Sequence, residues 1–209
     1  MLTNARKALA AALLDIGAVQ FGQFRLKLHE TWPDAPLSPI YIDLRVLRSF
    51  PDVMDSAVAV YKELVSGLEV DLYADVPTAA TPLAALLSHE TRIPLISPRK
   101  EEKGHGTGRQ IDGVFKPGQT ALLIDDLITL ADSKIEAISA LEANGLKVRG
   151  VVVLVDREQG GVQELEKRGY ACRVAFGLKE LLQFYRDSGR ITAEQQESTL
   201  RYLQESHPS

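Results

Sequence analysis

The chain has 209 residues, 45% hydrophobic and 25% charged, with a formal net charge of -4. That length suits one domain, or one domain with a small appendage, and the acidic balance argues against general nucleic-acid affinity, which shows as a basic surface. A lone cysteine, Cys172, excludes an internal disulfide and a zinc-ligand spacing, and makes a reducing, cytoplasmic setting the natural expectation.

The N-terminal "ARKALAAALLDIGAVQFG" is broken by Asp15 and has helical leucine spacing, so it reads as an amphipathic first helix around residues 3–16 rather than a signal peptide. "SPIYIDLR" has the β-branched and aromatic content of a strand. Pro51 suits the first turn of a helix running to about Ser66, with Gly67 beyond its end. "EVDLYADV" reads as strand and "TAATPLAALLSHE" as helix, where Pro82 is tolerable only in the first turn. "PLIS" and "TALLIDD" are further strands. The helix after the second ends at Asn144-Gly145, a left-handed stop. "KVRGVVVLVD" is almost continuously apolar, as a strand covered on both faces must be. A short helix, "GVQELEKRGY", and a strand, "ACRVAF", follow, and helices at about Leu178–Asp187 and Thr192–Glu205 complete the pattern. None of the apolar runs approaches the ~20 residues of a membrane span.

Strands alternating with helices predict an α/β fold with a mainly parallel, doubly wound sheet. Ligands of such sheets bind beyond the carboxyl ends of strands, here in loops 74–80, 99–113, 125–133 and 156–161.

Asp125 and Asp126 end an apolar strand, and Thr129 and Ser133 lead into a helix. Carboxylates for a ribose diol, beside a helix N-terminus and hydroxyls for its 5′-phosphate, suit a phosphorylated ribose. The same residues also fit a metal site, salt bridges, or a plain capping box from Ser133 to Glu136. Neither the dinucleotide-binding glycine pattern nor a P-loop occurs. The 99–113 loop sets Arg99, Lys100, Lys103, His105 and Arg109 among four glycines. Such a loop is mobile and anion-seeking, able to close over a diphosphate. In the last loop Arg157 offers a planar fork to a carboxylate or a pair of ring carbonyls, or pairs with Asp156, Glu158, Asp125 or Asp126.

"RKEEKGHG", "ALLIDDLIT", "LSPIYIDLR" and "VVLVDREQGG" together resemble the orotate phosphoribosyltransferase family, and the likeness runs from "FGQFRLK" to "LKELLQFYRDSGRIT". The resemblance implies a type I phosphoribosyltransferase fold in a single domain, with a small N-terminal hood over residues 1–45 and a core over 46–209. It implies transfer of the phosphoribosyl group of phosphoribosyl pyrophosphate (PRPP) to orotate, giving orotidine 5′-monophosphate and pyrophosphate, with Mg²⁺ carried by PRPP. By the same resemblance Asp125 and Asp126 bind the ribose hydroxyls, and Thr129 and Ser133 belong to the 5′-phosphate loop. Arg99, Lys100, Lys103 and His105 contact pyrophosphate, the last two catalytically. Lys27, Tyr41 and Arg157 surround orotate. A homodimer is implied, with the 99–113 loop closing over the neighbouring subunit.

The chain departs from the family pattern in three places. Leu130 and Ala131 replace a hydroxyl residue and a glycine of the phosphate loop, and Asp132 places a carboxylate where the 5′-phosphate should rest. A carboxylate ~4 Å from the phosphate would cost on the order of 4 kcal/mol per unit charge, roughly a thousandfold in affinity. A longer segment with Trp32, Pro33, Pro36 and Pro39 follows Lys27 and could reshape or cover the base pocket. Thr78 and Ala79 stand where the family has tyrosine and lysine or threonine. The alternative expectation is therefore a binding or regulatory protein with impaired catalysis. A phosphoribosyltransferase for another base fits less well, because Lys27 and Arg157 match the orotate pattern.

Overall fold

The computed structural model describes residues 2–26, 28–99 and 110–205. Helix α1 (Asn4–Asp15) is capped by Thr3, whose hydroxyl accepts the Arg6 N–H at 3.3 Å, and buries Leu9, Ala10 and Leu13. Strands β1 (Val19–Phe24) and β2 (Ser38–Ile42) form an antiparallel hairpin joined through a single helical turn, α2 (Leu28–Thr31). A 3-10 segment (Leu44–Ser49) leads into α3 (Pro51–Val65), with Pro51 in its first turn as its spacing predicts.

The core alternates strand and helix: β3 (Leu72–Asp75), α4 (Thr81–Thr91), β4 (Leu95–Pro98), β5 (Ile111–Asp112), β6 (Thr120–Ile128), α5 (Asp132–Ala143), β7 (Lys147–Asp156), α6 (Gly161–Lys167), β8 (Cys172–Gly177), α7 (Leu178–Asp187) and α8 (Ala193–Glu205). The sheet order is β5-β4-β3-β6-β7-β8, parallel except for the short edge strand β5. Chain order runs outward in opposite directions from β3 and β6, so the topological switch point lies between those two strands. A ligand crevice is expected at that point.

Strand β7 shows why its sequence is apolar throughout. Val152 and Leu154 pack among α1, α3, α4 and α7, while Val151 and Val153 face α5 and α6 on the other side. Tyr61 from α3 reaches through the first layer and donates to the Asp125 carbonyl at 2.6 Å. Among the described residues no helix is long and apolar enough to cross a membrane.

Several boundaries differ from the sequence expectation. The acidic pair lies inside β6, not in the loop after it, because β6 pairs with β7 as far as Ile128. β3 covers only Leu72–Asp75 of the longer predicted segment. β1, α2, the 3-10 segment and β5 carry no sequence expectation; their short or polar runs lack the periodicity that marks longer elements.

Candidate functional site

Strand β3 ends opposite Ile124, and β6 continues beyond it beside β7 alone. Two N–H groups in this overhang turn to side chains. Asp126 N–H donates to Asp125 Oδ1 at 2.9 Å, and Leu127 N–H donates to Asp126 Oδ1 at 2.8 Å. Both carboxylates are buried, 3% and 8% exposed. Burial, and then the neighbouring Asp125, push the Asp126 carboxyl up to about 7, well above the ordinary carboxylate value.

Asp125 has a cation of its own. Lys134, on the first turn of α5, brings Nζ to 2.5 Å from Asp125 Oδ2 and donates to the Leu127 carbonyl at 2.5 Å. Both side chains are almost fully buried. The sequence reading missed Lys134. The available signal was electrostatic: a lysine in the first turn of a helix opposes the macrodipole and asks for a local partner.

The capping box expected from Ser133 and Glu136 is absent. α5 begins at Asp132, its cap position is Ala131, and no side chain caps its first turn. Ala131 adopts φ 74 and ψ -3, the left-handed conformation that glycine takes freely. The residue is buried, so its methyl group packs beneath the turn. Leu130 and Asp132 are exposed. None of these three residues lines the cavity at the switch point. That cavity, about 320 Å³, is lined by Asp43 and Arg45, by Val76, Pro77 and Ala79 after β3, and by Asp125, Asp126, Thr129, Ser133 and Lys134. A second cavity of about 460 Å³ lies on the far side of Pro77 and Ser133 and includes Arg99. Asp132 is exposed to solvent, which screens the repulsion reckoned from sequence.

Arg157 follows β7 and is 7% exposed. Its N–H donates to the Ile128 carbonyl at 3.0 Å, but Nε and Nη2 are buried without a hydrogen-bond partner. Burial pulls the guanidinium down from its ordinary value, and the nearby Tyr202 and Tyr41 pull the other way. None of the four acidic partners open to it in the sequence is used among the described residues. Asp125 pairs with Lys134, and Glu158 turns to the Lys179 backbone N–H at 2.6 Å. Tyr41 stacks on Phe24 with ring centres 5.5 Å apart, and its hydroxyl accepts from Arg45 at 3.2 Å. Tyr202, on α8, is a second neighbour of Arg157 that the sequence reading missed.

Arg99 forms a two-pronged pair with Asp112, across the β4–β5 ladder. Lys27, Lys100, Lys103 and His105 lie outside the described residues. The segment after Lys27 does not roof the acidic cavity. His29 ties it to the Leu26 N–H at 2.8 Å, Trp32 is 66% exposed, and Pro36 and Leu37 line a different space beside Arg201 and Tyr202. Burial pushes the Cys172 thiol up to about 12, which leaves it a poor nucleophile.

No family model matches the chain. It is 37% identical over 192 residues to an orotate phosphoribosyltransferase of Pyrobaculum aerophilum, covering 91% of this chain and 95% of that protein. It is 36% identical over 200 residues to the uridine 5′-monophosphate synthase of Bos taurus, covering 95% of this chain but spanning only 40% of that protein. The solved UMP synthase of Leishmania donovani superposes with a TM-score of 0.85 at 38% identity, over 97% of this chain and 43% of that one. At such identity over nearly its whole length, and with the same architecture, the chain belongs to the orotate phosphoribosyltransferase family.

Proposed function

We propose that the chain transfers the phosphoribosyl group of PRPP to orotate, releasing pyrophosphate and forming orotidine 5′-monophosphate for pyrimidine synthesis. The observation that carries this reading is the cavity at the β3–β6 switch point, where two buried carboxylates meet two hydroxyls and an uncapped helix start. The carboxylate side accepts from the ribose diol. Thr129, Ser133 and the free N–H groups of α5 receive the 5′-phosphate. Arg157 has buried, unused donors and suits the anionic face of orotate.

The bond to be broken joins the ribose C1 to pyrophosphate, and the electron pair leaves with pyrophosphate as the orotate nitrogen attacks. Charge builds on the leaving group, so cations must gather there: Arg99, with Lys100, Lys103 and His105 from the same loop. Mg²⁺ would arrive with the diphosphate and neutralise part of its charge, as suits a site with adjacent carboxylates and, among the described residues, no dedicated cage. A homodimer in which the 99–113 loop closes over the neighbouring site, in a cytoplasmic setting, completes the proposal. The test is direct: purified protein with orotate, PRPP and Mg²⁺ should lose orotate absorbance. No turnover together with no PRPP binding by calorimetry would overturn it.

A further inference from the structure

Two adjacent buried carboxylates form a poor receptor for a polyanion such as PRPP. Here the pair is not symmetric. Every oxygen of Asp125 is taken: Oδ1 by the Asp126 N–H, Oδ2 by Lys134 Nζ, and the backbone carbonyl by the Tyr61 hydroxyl. Both carboxylates line the cavity, but Asp126 receives only one backbone N–H, from Leu127, on Oδ1. Lys134 holds two short contacts, to Asp125 and to the Leu127 carbonyl, and its Nζ also lies 3.4 Å from Ser133 Oγ. A hydroxyl facing an ammonium serves it as acceptor, which leaves its own proton for another acceptor.

We propose that Lys134 is a positioning residue: it commits Asp125 to an internal ion pair, leaves Asp126 to take the ribose diol, and gives the 5′-phosphate cradle a fixed positive charge. This rests on the functional reading above and deepens it. The fixed charge offsets one carboxylate before any ligand arrives. The rigid ion pair also holds the overhanging end of β6 to the first turn of α5, so diol acceptor and phosphate donors keep one spacing. It further accounts for a site that works around Ala131 and Asp132, since attraction for the phosphate no longer depends on the loop backbone alone.

The test uses the full-length protein and four variants: Lys134→Met, Asp125→Asn, Asp126→Asn, and the double variant Lys134→Met/Asp125→Asn. Thermal unfolding, calorimetric titration with PRPP, and KM for each substrate are measured. Lys134→Met alone strands a buried carboxylate and should lower thermal stability. The double variant removes both charges, so it folds and carries the test if the single one does not. It should bind PRPP on the order of tenfold more weakly than Asp125→Asn, from which it differs by the single charge of Lys134, with orotate KM unchanged. Asp126→Asn should weaken PRPP more than Asp125→Asn does. A double variant that binds PRPP as tightly as Asp125→Asn overturns the fixed-charge role. An Asp125→Asn loss equal to that of Asp126→Asn overturns the division between the two carboxylates. A wild-type chain that binds no PRPP sinks the functional reading instead, so the two failures are distinct.

Discussion

Gly161 packs directly against the backbone of Thr129. A Cβ built on Gly161 would overlap the Thr129 carbonyl oxygen and lie 2.7 Å from Ile128 Cγ1. The start of α6 therefore presses on the turn that carries Thr129, proposed above to meet the 5′-phosphate, and only the absence of a side chain permits it. Gly161→Ala should displace that turn. Overpacking of this kind costs about 1–3 kcal/mol, to be read by chemical denaturation. PRPP affinity should fall as well, while orotate binding holds. Wild-type PRPP affinity would show that the turn does not need this contact.

Arg157 gives an unusual expectation for stability. A buried guanidinium with two nitrogens lacking a partner among the described residues is costly to the fold, and under the proposed function orotate is the partner. Arg157→Met should raise stability by about 1 kcal/mol or more, and raise the KM for orotate on the order of a hundredfold. Thermal melts and steady-state kinetics on the same preparation check both. A variant that is both less stable and unchanged in orotate KM would mean that Arg157 is structural.

The Asp126 carboxyl gives the site a pH dependence with a definite sign. In the folded protein its proton is held to about 7, against 3.8 ordinarily. Between those values the folded state binds the extra proton, so this group makes stability fall as pH rises through the window, with no further loss above it. Asp126→Asn should remove that slope. The variant should gain at least about 1 kcal/mol over wild type at pH 8 and almost nothing at pH 4. Urea unfolding at the two pH values is the measurement. Parallel curves would remove Asp126 as the cause.

The altered phosphate turn is open to a double substitution, Ala131→Gly with Asp132→Gly. Left-handed alanine costs about 1–2 kcal/mol, yet glycine gives up a buried methyl worth about 0.8 kcal/mol and loses more chain entropy. Stability should change little. PRPP affinity should rise, by about tenfold rather than a thousandfold, because Asp132 is exposed and screened. Calorimetry at low and moderate salt separates the charge effect from the backbone effect.

Lys103→Ala tests the glycine-rich loop. If its ammonium meets the leaving pyrophosphate, kcat should drop by on the order of a hundredfold or more with a smaller change in KM. A near-normal kcat would remove the loop from catalysis.

The sequence by itself carried the α/β order, most helix limits, and the loops that hold chemistry. The limits of α3, β7 and α7 were legible because apolar period, proline and glycine act within a few residues of chain. The motifs around Asp125, Arg99 and Arg157 likewise named the family. What only the tertiary structure decided was which charge meets which. Asp125 finds Lys134 because β6 overhangs β3 and α5 starts two residues earlier than its hydroxyl pattern suggested. Arg157 Nε and Nη2 find no partner among the described residues, although the sequence offered four carboxylates. Ala131 takes the left-handed turn despite its side chain, and Asp132 is exposed and does not line the cavity. These outcomes depend on where separate elements stop against one another, and local preference does not encode that.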